Sequence, residues 1–166
     1  RGLSTQGGTM NRILLSAFAA GFGTVAIAQT APGDVTFGDY GQVEMSLSGT
    51  VGDPAAGLEI MVNRGKGNCI ACHQVTALSD YPFHGEVGPS LDGVGARWEA
   101  SDLRGIVSNA KMVFPDTVMP AFYAIDGFNR PGDGYTGKAA QGPLDPILTA
   151  QEVEDVVAYL MTLQDY

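Results

Sequence analysis

One short motif, formed by Cys69, Cys72 and His73, constrains this chain more than any other feature. Two cysteines separated by two residues and followed at once by a histidine form the C-x-x-C-H motif, which attaches a c-type haem. The spacing suits that chemistry, because two thiols one short turn apart can form thioether bonds to the two vinyl groups of one haem. His73 then lies beside the iron as its proximal ligand. The chain has no other cysteine, so the motif uses every thiol.

Three other interpretations of the motif compete with haem attachment. A disulfide between Cys69 and Cys72 would close a very small loop and would stabilise the fold little. A thioredoxin-like redox pair needs a βαβ context, which the glycine-rich flank 65–68 does not provide. A zinc site needs four ligands, and the chain offers only His73 and His84 as histidines, in an awkward arrangement.

The N-terminal region indicates export from the cytoplasm. Arg12 precedes an apolar run from Ile13 to Ala28, which ends in an A-x-A sequence, and these are the parts of a secretory signal peptide. We expect cleavage after Ala28 and a periplasmic mature protein. A bilayer span needs about 20 apolar residues, so we expect no membrane span in the mature form. Residues 1–9 precede the plausible initiator Met10 and are expected to be an upstream artefact.

The mature chain is acidic and of single-domain size. Removal of residues 1–28 leaves 138 residues with 7 Lys and Arg against 18 Asp and Glu, a net charge of −11. Such a chain will not bind nucleic acid or an anionic membrane through bulk charge. The acidity suits solubility, or steering toward a partner with a basic surface.

The pattern along the mature chain predicts a mainly α fold in one domain, 53–166, preceded by an irregular arm, 29–52. Asp53 and Pro54 predict the N-cap and first residue of a helix that runs to about residue 63. A second long helix is predicted over 99–113 with Ser101 as N-cap. Thr149 and Glu152 predict a capping box at the start of the last helix. Residues 126–146 form a Gly/Pro-rich loop.

The order of helix, C-x-x-C-H, Gly-Pro, helix, Met-Pro and helix resembles the class I cytochrome c family over about 53–164. The resemblance implies helices wrapped around one covalently attached haem. It also implies that the backbone carbonyl of Pro89 holds the outer ring nitrogen of His73, which fixes the orientation of the ring.

The sixth iron ligand is predicted to be Met119, which lies in a loop and precedes Pro120, as in the distal Met-Pro of the family. Met112 and His84 are more distant alternatives. Histidine and methionine together favour a relatively high reduction potential and direct the iron to electron transfer.

Other residues are weaker candidates for contact with the haem. Leu91 and Trp98 are expected in the haem pocket or the core. Arg97 could pair with a haem propionate or be an ordinary surface arginine. Four further cations could contact an acidic partner or be scattered surface charge: Arg64, Lys66, Arg104 and Lys111.

Four segments resemble one subfamily more closely, the SoxX cytochromes, which are the monohaem subunits of the SoxAX complex of bacterial sulfur oxidation. The segments are 53–57, 66–73, 116–123 and 147–160, and the sequence Met-Pro-Ala-Phe-Tyr from Met119 to Tyr123 is the most specific of them. The loop 126–146 is longer than this resemblance implies.

The resemblance implies an electron-transfer role inside an enzyme. SoxAX acts as an L-cysteine S-thiosulfotransferase, which joins thiosulfate oxidatively to a cysteine of the SoxYZ carrier. The implied partners are a monohaem or dihaem SoxA subunit in a heterodimer, SoxYZ transiently, and a small cytochrome c that accepts the electrons. After attachment of haem c through Cys69 and Cys72 this chain has no free thiol, so it would not be the sulfur-binding subunit.

Two other functions stay open at this point. One is a free-standing soluble cytochrome c that shuttles electrons between respiratory complexes. The other is a haem-carrying structural subunit of a different oxidoreductase. An obligate subunit would show an apolar face near the haem mouth, and an N-terminal arm ordered only in the complex.

Overall fold

The computed structural model describes residues 1–2, 28–133 and 136–165. The predicted upstream segment and signal peptide lie almost wholly outside the described residues. The regular structure in these ranges is helical, which confirms the predicted mainly α fold. The α-helices are α1 (Pro54–Val62), α2 (Val94–Arg97), α3 (Ala100–Asn109) and α4 (Ala150–Leu160). Short 3-10 turns occupy Pro32–Asp34, Cys69–Ala71, Thr76–Leu78 and Ala110–Met112.

The helix ends follow local capping chemistry. Asp53 accepts a hydrogen bond from the Ala55 N–H at 2.9 Å, and Pro54 begins α1 as predicted. The capping box of α4 is also confirmed, because Thr149 N–H donates to Glu152 Oε2 at 2.8 Å and Glu152 N–H donates to Thr149 Oγ1 at 3.2 Å.

The predicted N-cap of α3 was wrong. The cap is Glu99 rather than Ser101, and the Glu99 N–H donates to Asp102 Oδ2 at 3.1 Å. The Asp102 side chain can reach back to this N–H because it stands three residues after the cap, on the first turn of the helix.

Helix α1 crosses α4, and the two helices enclose much of the core. Gly57 makes their close approach possible, because a Cβ at this position would overlap the Asp155 carbonyl group. Met61 of α1 is fully buried, as are Val153 and Val156 of α4. The loop 126–146 is mostly exposed, and an isolated antiparallel bridge joins Gly132 to Ala139. In the part of the chain that the structure describes, no helix is long and apolar enough to cross a bilayer.

The N-terminal arm lies on the helical domain. Val43 and Leu47 are buried in the same core as the helices. The Val43 N–H donates to the Ser101 carbonyl at 2.9 Å, and the Tyr123 hydroxyl donates to the Thr30 carbonyl at 2.6 Å. The arm therefore contributes buried side chains to the core of the helical domain and is bonded to it at several points.

A charged cluster fastens the arm. Arg104 lies 2.9 Å from Glu154, measured from Nε to Oε1, and its Nη1 donates to the Val43 carbonyl at 2.7 Å. Glu154 Oε1 also accepts the Leu47 N–H at 2.7 Å. Arg104 is thus mostly buried, and its charge is used within this chain to hold Glu154 and the arm.

Candidate functional site

A cavity of about 470 Å³ opens between the motif turn, the segment that leads into α2, helix α3, the segment before Pro120 and helix α4. Its walls are mostly apolar. All seven site residues predicted from the sequence line this one cavity: Cys69, Cys72, His73, Pro89, Leu91, Arg97 and Met119.

The motif itself is a tight turn. Asn68 takes a left-handed conformation (φ 46°) and leads into the 3-10 turn Cys69–Ala71. The His73 N–H donates to the Cys69 carbonyl at 3.0 Å, which brings both thiols and the imidazole to one wall of the cavity. Burial raises the pKa of the Cys69 thiol to about 12, so the free thiol is protonated at neutral pH. Cys72 is exposed at the edge.

The imidazole of His73 is held by Pro89. Its Nδ1 lies 2.7 Å from the Pro89 carbonyl oxygen, which can only accept a hydrogen bond. Nδ1 must therefore carry the proton, and in the neutral ring Nε2 has the free lone pair that a metal ligand requires. Gly88 is part of this arrangement, since a Cβ there would overlap the ring of His73. The sequence shows Gly88 only as the glycine of a Gly-Pro pair, and its contact with the ring becomes visible in three dimensions.

Met119 reaches the cavity from the opposite segment of the chain. Its side chain is half-buried and packs against the core. Its N–H donates to Thr117 Oγ1 at 3.2 Å, and its carbonyl accepts from Lys111 Nζ at 3.1 Å. The backbone on both sides of the Met119 side chain is therefore held by hydrogen bonds.

The two alternative sixth ligands lie outside the cavity lining. Met112 is about half exposed. His84 uses both ring nitrogens locally: Nδ1 accepts the Val75 N–H at 3.3 Å, and Nε2 lies 3.0 Å from the Leu78 carbonyl oxygen. His84 is thus a loop-bracing residue in this structure, and neither residue is placed to ligate a metal in the cavity.

Arg97 supplies fixed positive charge at the cavity wall. Its Nη1 donates to the Asp92 carbonyl at 2.7 Å and its Nη2 to the Ser90 carbonyl at 3.2 Å. Burial alone would raise the pKa of Asp92. Hydrogen bonds from Thr76 and Ser90 and the charge of Arg97 outweigh burial, so that pKa lies below its ordinary value. Leu91, which lies between the two residues whose carbonyls accept from Arg97, packs against the core.

Several walls of the cavity were not singled out in the sequence. Val156 and Leu160 of α4 line it. Phe114 also lines it, where it meets Trp98, which the sequence did indicate, edge to face with ring centroids 6.4 Å apart. Three lining residues are also exposed to solvent, Val87 at 70%, Phe114 at 46% and Val118 at 81%. These three residues form an apolar rim, and no periodicity in the sequence indicates them.

The cavity suits a haem better than a metal ion alone. It joins two thiols, one imidazole with a free lone pair and one thioether to a large apolar volume. A zinc or similar ion would need several clustered ligands, and the described ranges hold no group of three or more His, Cys, Asp or Glu side chains fit for one. The donor set therefore fits an iron centre carried by a large apolar ring.

Comparisons with known proteins agree with this geometry. The family model of cytochrome c matches residues 55–164. A solved structure, SoxXA from P. pantotrophus, contains a chain that is 55% identical and superposes with a TM-score of 0.79. The match covers 83% of this chain and 100% of that one. No curated protein sequence matches the chain significantly.

Proposed function

Since the chain belongs to the cytochrome c family, with a class I fold and the SoxX type of sequence, we propose that it is the electron-transfer haem c subunit of a SoxAX-type complex. In this role it accepts electrons from a SoxA-type subunit, with which it forms a heterodimer. The reaction served is the oxidative coupling of thiosulfate to a cysteine of a SoxYZ-type carrier. The observation that carries the proposal is the convergence of Cys69, Cys72, His73 and Met119 on one apolar cavity.

Each residue of the cavity has a defined part in this proposal. Cys69 and Cys72 would hold the haem covalently, and His73 and Met119 would ligate its iron. Pro89 keeps the proton of His73 on Nδ1, so Nε2 stays available as a ligand. Leu91 contributes an apolar wall, and Arg97 would offer its positive charge to a propionate. When bound, the haem carries one electron at a time by changing the oxidation state of its iron.

The partner subunit would carry out the sulfur chemistry, because this chain has no cysteine left for it. Joining thiosulfate to a cysteine thiol forms one S–S bond, releases one proton and removes two electrons. Both cysteines of this chain are used for attachment, so no thiol is left to carry sulfur. This subunit therefore transfers electrons one at a time, from SoxA to a small cytochrome c acceptor.

The 55% identity to a chain of SoxXA, over 100% of that chain, favours a subunit over a free-standing electron shuttle. Val87, Phe114 and Val118 line the cavity that the haem would fill, and the apolar surface that they keep beside it would belong to the proposed interface. The arm gives no such support, because it packs on its own domain. We place the mature protein in the periplasm, where haem c is attached and thiosulfate is accessible.

The test is thiosulfate-dependent reduction of the haem in the mature holoprotein. The visible α band would be followed for the protein alone, with SoxA, and with SoxA and SoxYZ together. We expect reduction only in the full mixture, and co-elution with SoxA as a heterodimer in gel filtration. The proposal would be contradicted if the intact holoprotein stayed oxidised in a mixture shown to be active with an authentic SoxX. The protein would then be interpreted as a free-standing electron carrier.

A further inference from the structure

We propose that Lys111 is a positioning residue for Met119: its ammonium group holds the Met119 segment against the helical domain, so that the thioether stays at the iron. This inference rests on the proposed function, because it takes Met119 as the sixth ligand. The contact that carries it is the hydrogen bond from Lys111 Nζ to the Met119 carbonyl oxygen, at 3.1 Å.

The Met119 segment, residues 117–120, has few bonds of its own to the helical domain; the next ones along the chain join the Phe122 and Tyr123 N–H groups to the Val107 and Ser108 carbonyls at 3.3 and 3.0 Å. Val118 and Pro120, on either side of Met119, are exposed. The Met119 N–H bonds only two residues back, to Thr117 Oγ1 at 3.2 Å, which fixes a local turn but does not join the segment to another element. Lys111 supplies a bond from outside the segment, because its Nζ donates to the Met119 carbonyl.

Lys111 is well anchored for this role. It lies in the 3-10 turn Ala110–Met112, directly after α3. Ala110 is fully buried, and the Lys111 N–H donates to Asn109 Oδ1 at 3.3 Å. The base of the side chain is therefore fixed by the core while its ammonium reaches the segment eight residues ahead. The bond is charge-assisted, and it closes the loop that ends at the ligand.

A suitable substitution removes the donor and keeps the shape. Lys111→Met retains most of the apolar stem without an ammonium group, whereas Lys111→Arg keeps a cation that can still donate to the carbonyl. Lys138→Met is the matched control, because Lys138 is an exposed lysine of the 126–146 loop and does not line the cavity.

The experiment uses oxidised holoprotein and added imidazole, which competes with Met119 for the iron. Loss of the weak near-infrared charge-transfer band, which reports methionine ligation, gives the rate of displacement. We expect this rate to rise about tenfold in Lys111→Met. In Lys111→Arg and Lys138→Met it should stay within about twofold of the unsubstituted protein. A purely structural role would lower thermal stability without this pattern of rates.

Met119→Ala separates failure of this inference from failure of the ligand assignment. If Met119→Ala keeps the band, Met119 is not the ligand and the role of Lys111 is overturned with it. If Met119→Ala loses the band but Lys111→Met exchanges ligands at the unsubstituted rate, only the role of Lys111 is overturned.

Discussion

Arg104 of α3 and Glu154 of α4 form a nearly buried ion pair, with side chains 11% and 6% exposed and Nε 2.9 Å from Oε1. Each partner also binds the backbone of the arm, Arg104 at the Val43 carbonyl and Glu154 at the Leu47 N–H. The pair therefore joins two helices and the arm into one unit.

Removal of Glu154 should destabilise this unit strongly. Glu154→Ala leaves Arg104 buried without its counter-charge and leaves the Leu47 N–H without its acceptor, so we expect a loss of about 3 kcal/mol in the free energy of unfolding. Urea denaturation of the holoprotein measures it. Lys66→Ala is the comparison, because its ion pair with Glu152 is more exposed and should contribute less than about 1 kcal/mol. Equal losses in the two variants would contradict the structural importance of the buried pair.

Substitution of Met119 should change the ligation of the iron, whereas substitution of a core methionine should change only packing. Met119→Leu keeps the volume but removes the thioether, so the near-infrared band of the oxidised protein should vanish and the reduction potential should fall. Met61→Leu, in the core of α1, should keep both properties and cost less than about 1.5 kcal/mol of stability. Absorption spectra and a redox titration of each variant check this. A normal band in Met119→Leu would exclude Met119 as the ligand.

Glu152 predicts a pH dependence of stability. Burial alone would raise its pKa, but hydrogen bonds from Lys66 and the Thr149 N–H outweigh burial and hold the pKa below its ordinary value of 4.5. The folded state thus binds this proton less readily than the unfolded state. Its stabilising contribution is present above pH 4.5 and is lost as the pH falls through the lower folded pKa.

The measurement for Glu152 is a series of urea denaturations from about pH 6 to pH 3. Glu152→Gln cannot lose this charge, so its curve should decline less than that of the unsubstituted protein, by about 0.5–1 kcal/mol at the acid end. Parallel curves would show that Glu152 has no part in the acid sensitivity. Because haem ligation is the same in both proteins, its own response to acid cancels in the difference.

Phe114 of the apolar rim should contribute to binding of the partner subunit. Phe114→Ser removes a large exposed apolar surface at the cavity entrance, and we expect the dissociation constant for SoxA to rise about tenfold or more. Phe128→Ser is the matched control, since Phe128 is similarly exposed (41% against 46%) but does not line the cavity. Calorimetric titration measures both. Equal effects of the two changes would remove the rim from the proposed interface.

Local chemistry explains which features the sequence could predict. The motif at Cys69 and the caps at Asp53 and Thr149 depend on neighbours within a few residues, and each gave a correct expectation of local structure. The ion pair of Arg104 and Glu154 could not be predicted in this way. A charged residue in a sequence indicates a solvent-exposed position, and the two residues lie 50 positions apart. The cavity walls from Val156 and Phe114 likewise depend on packing between distant segments.

The attachment of the arm to α4 has a consequence for the order of folding. The bond between Leu47 and Glu154 spans 107 residues, and the arm, α1 and α4 can meet only when nearly the whole chain is available. Contacts this distant along the chain slow folding, because a large loop must close before they are made. We therefore expect a newly made chain to keep the C-x-x-C-H turn accessible until its C-terminal helix is available to pack.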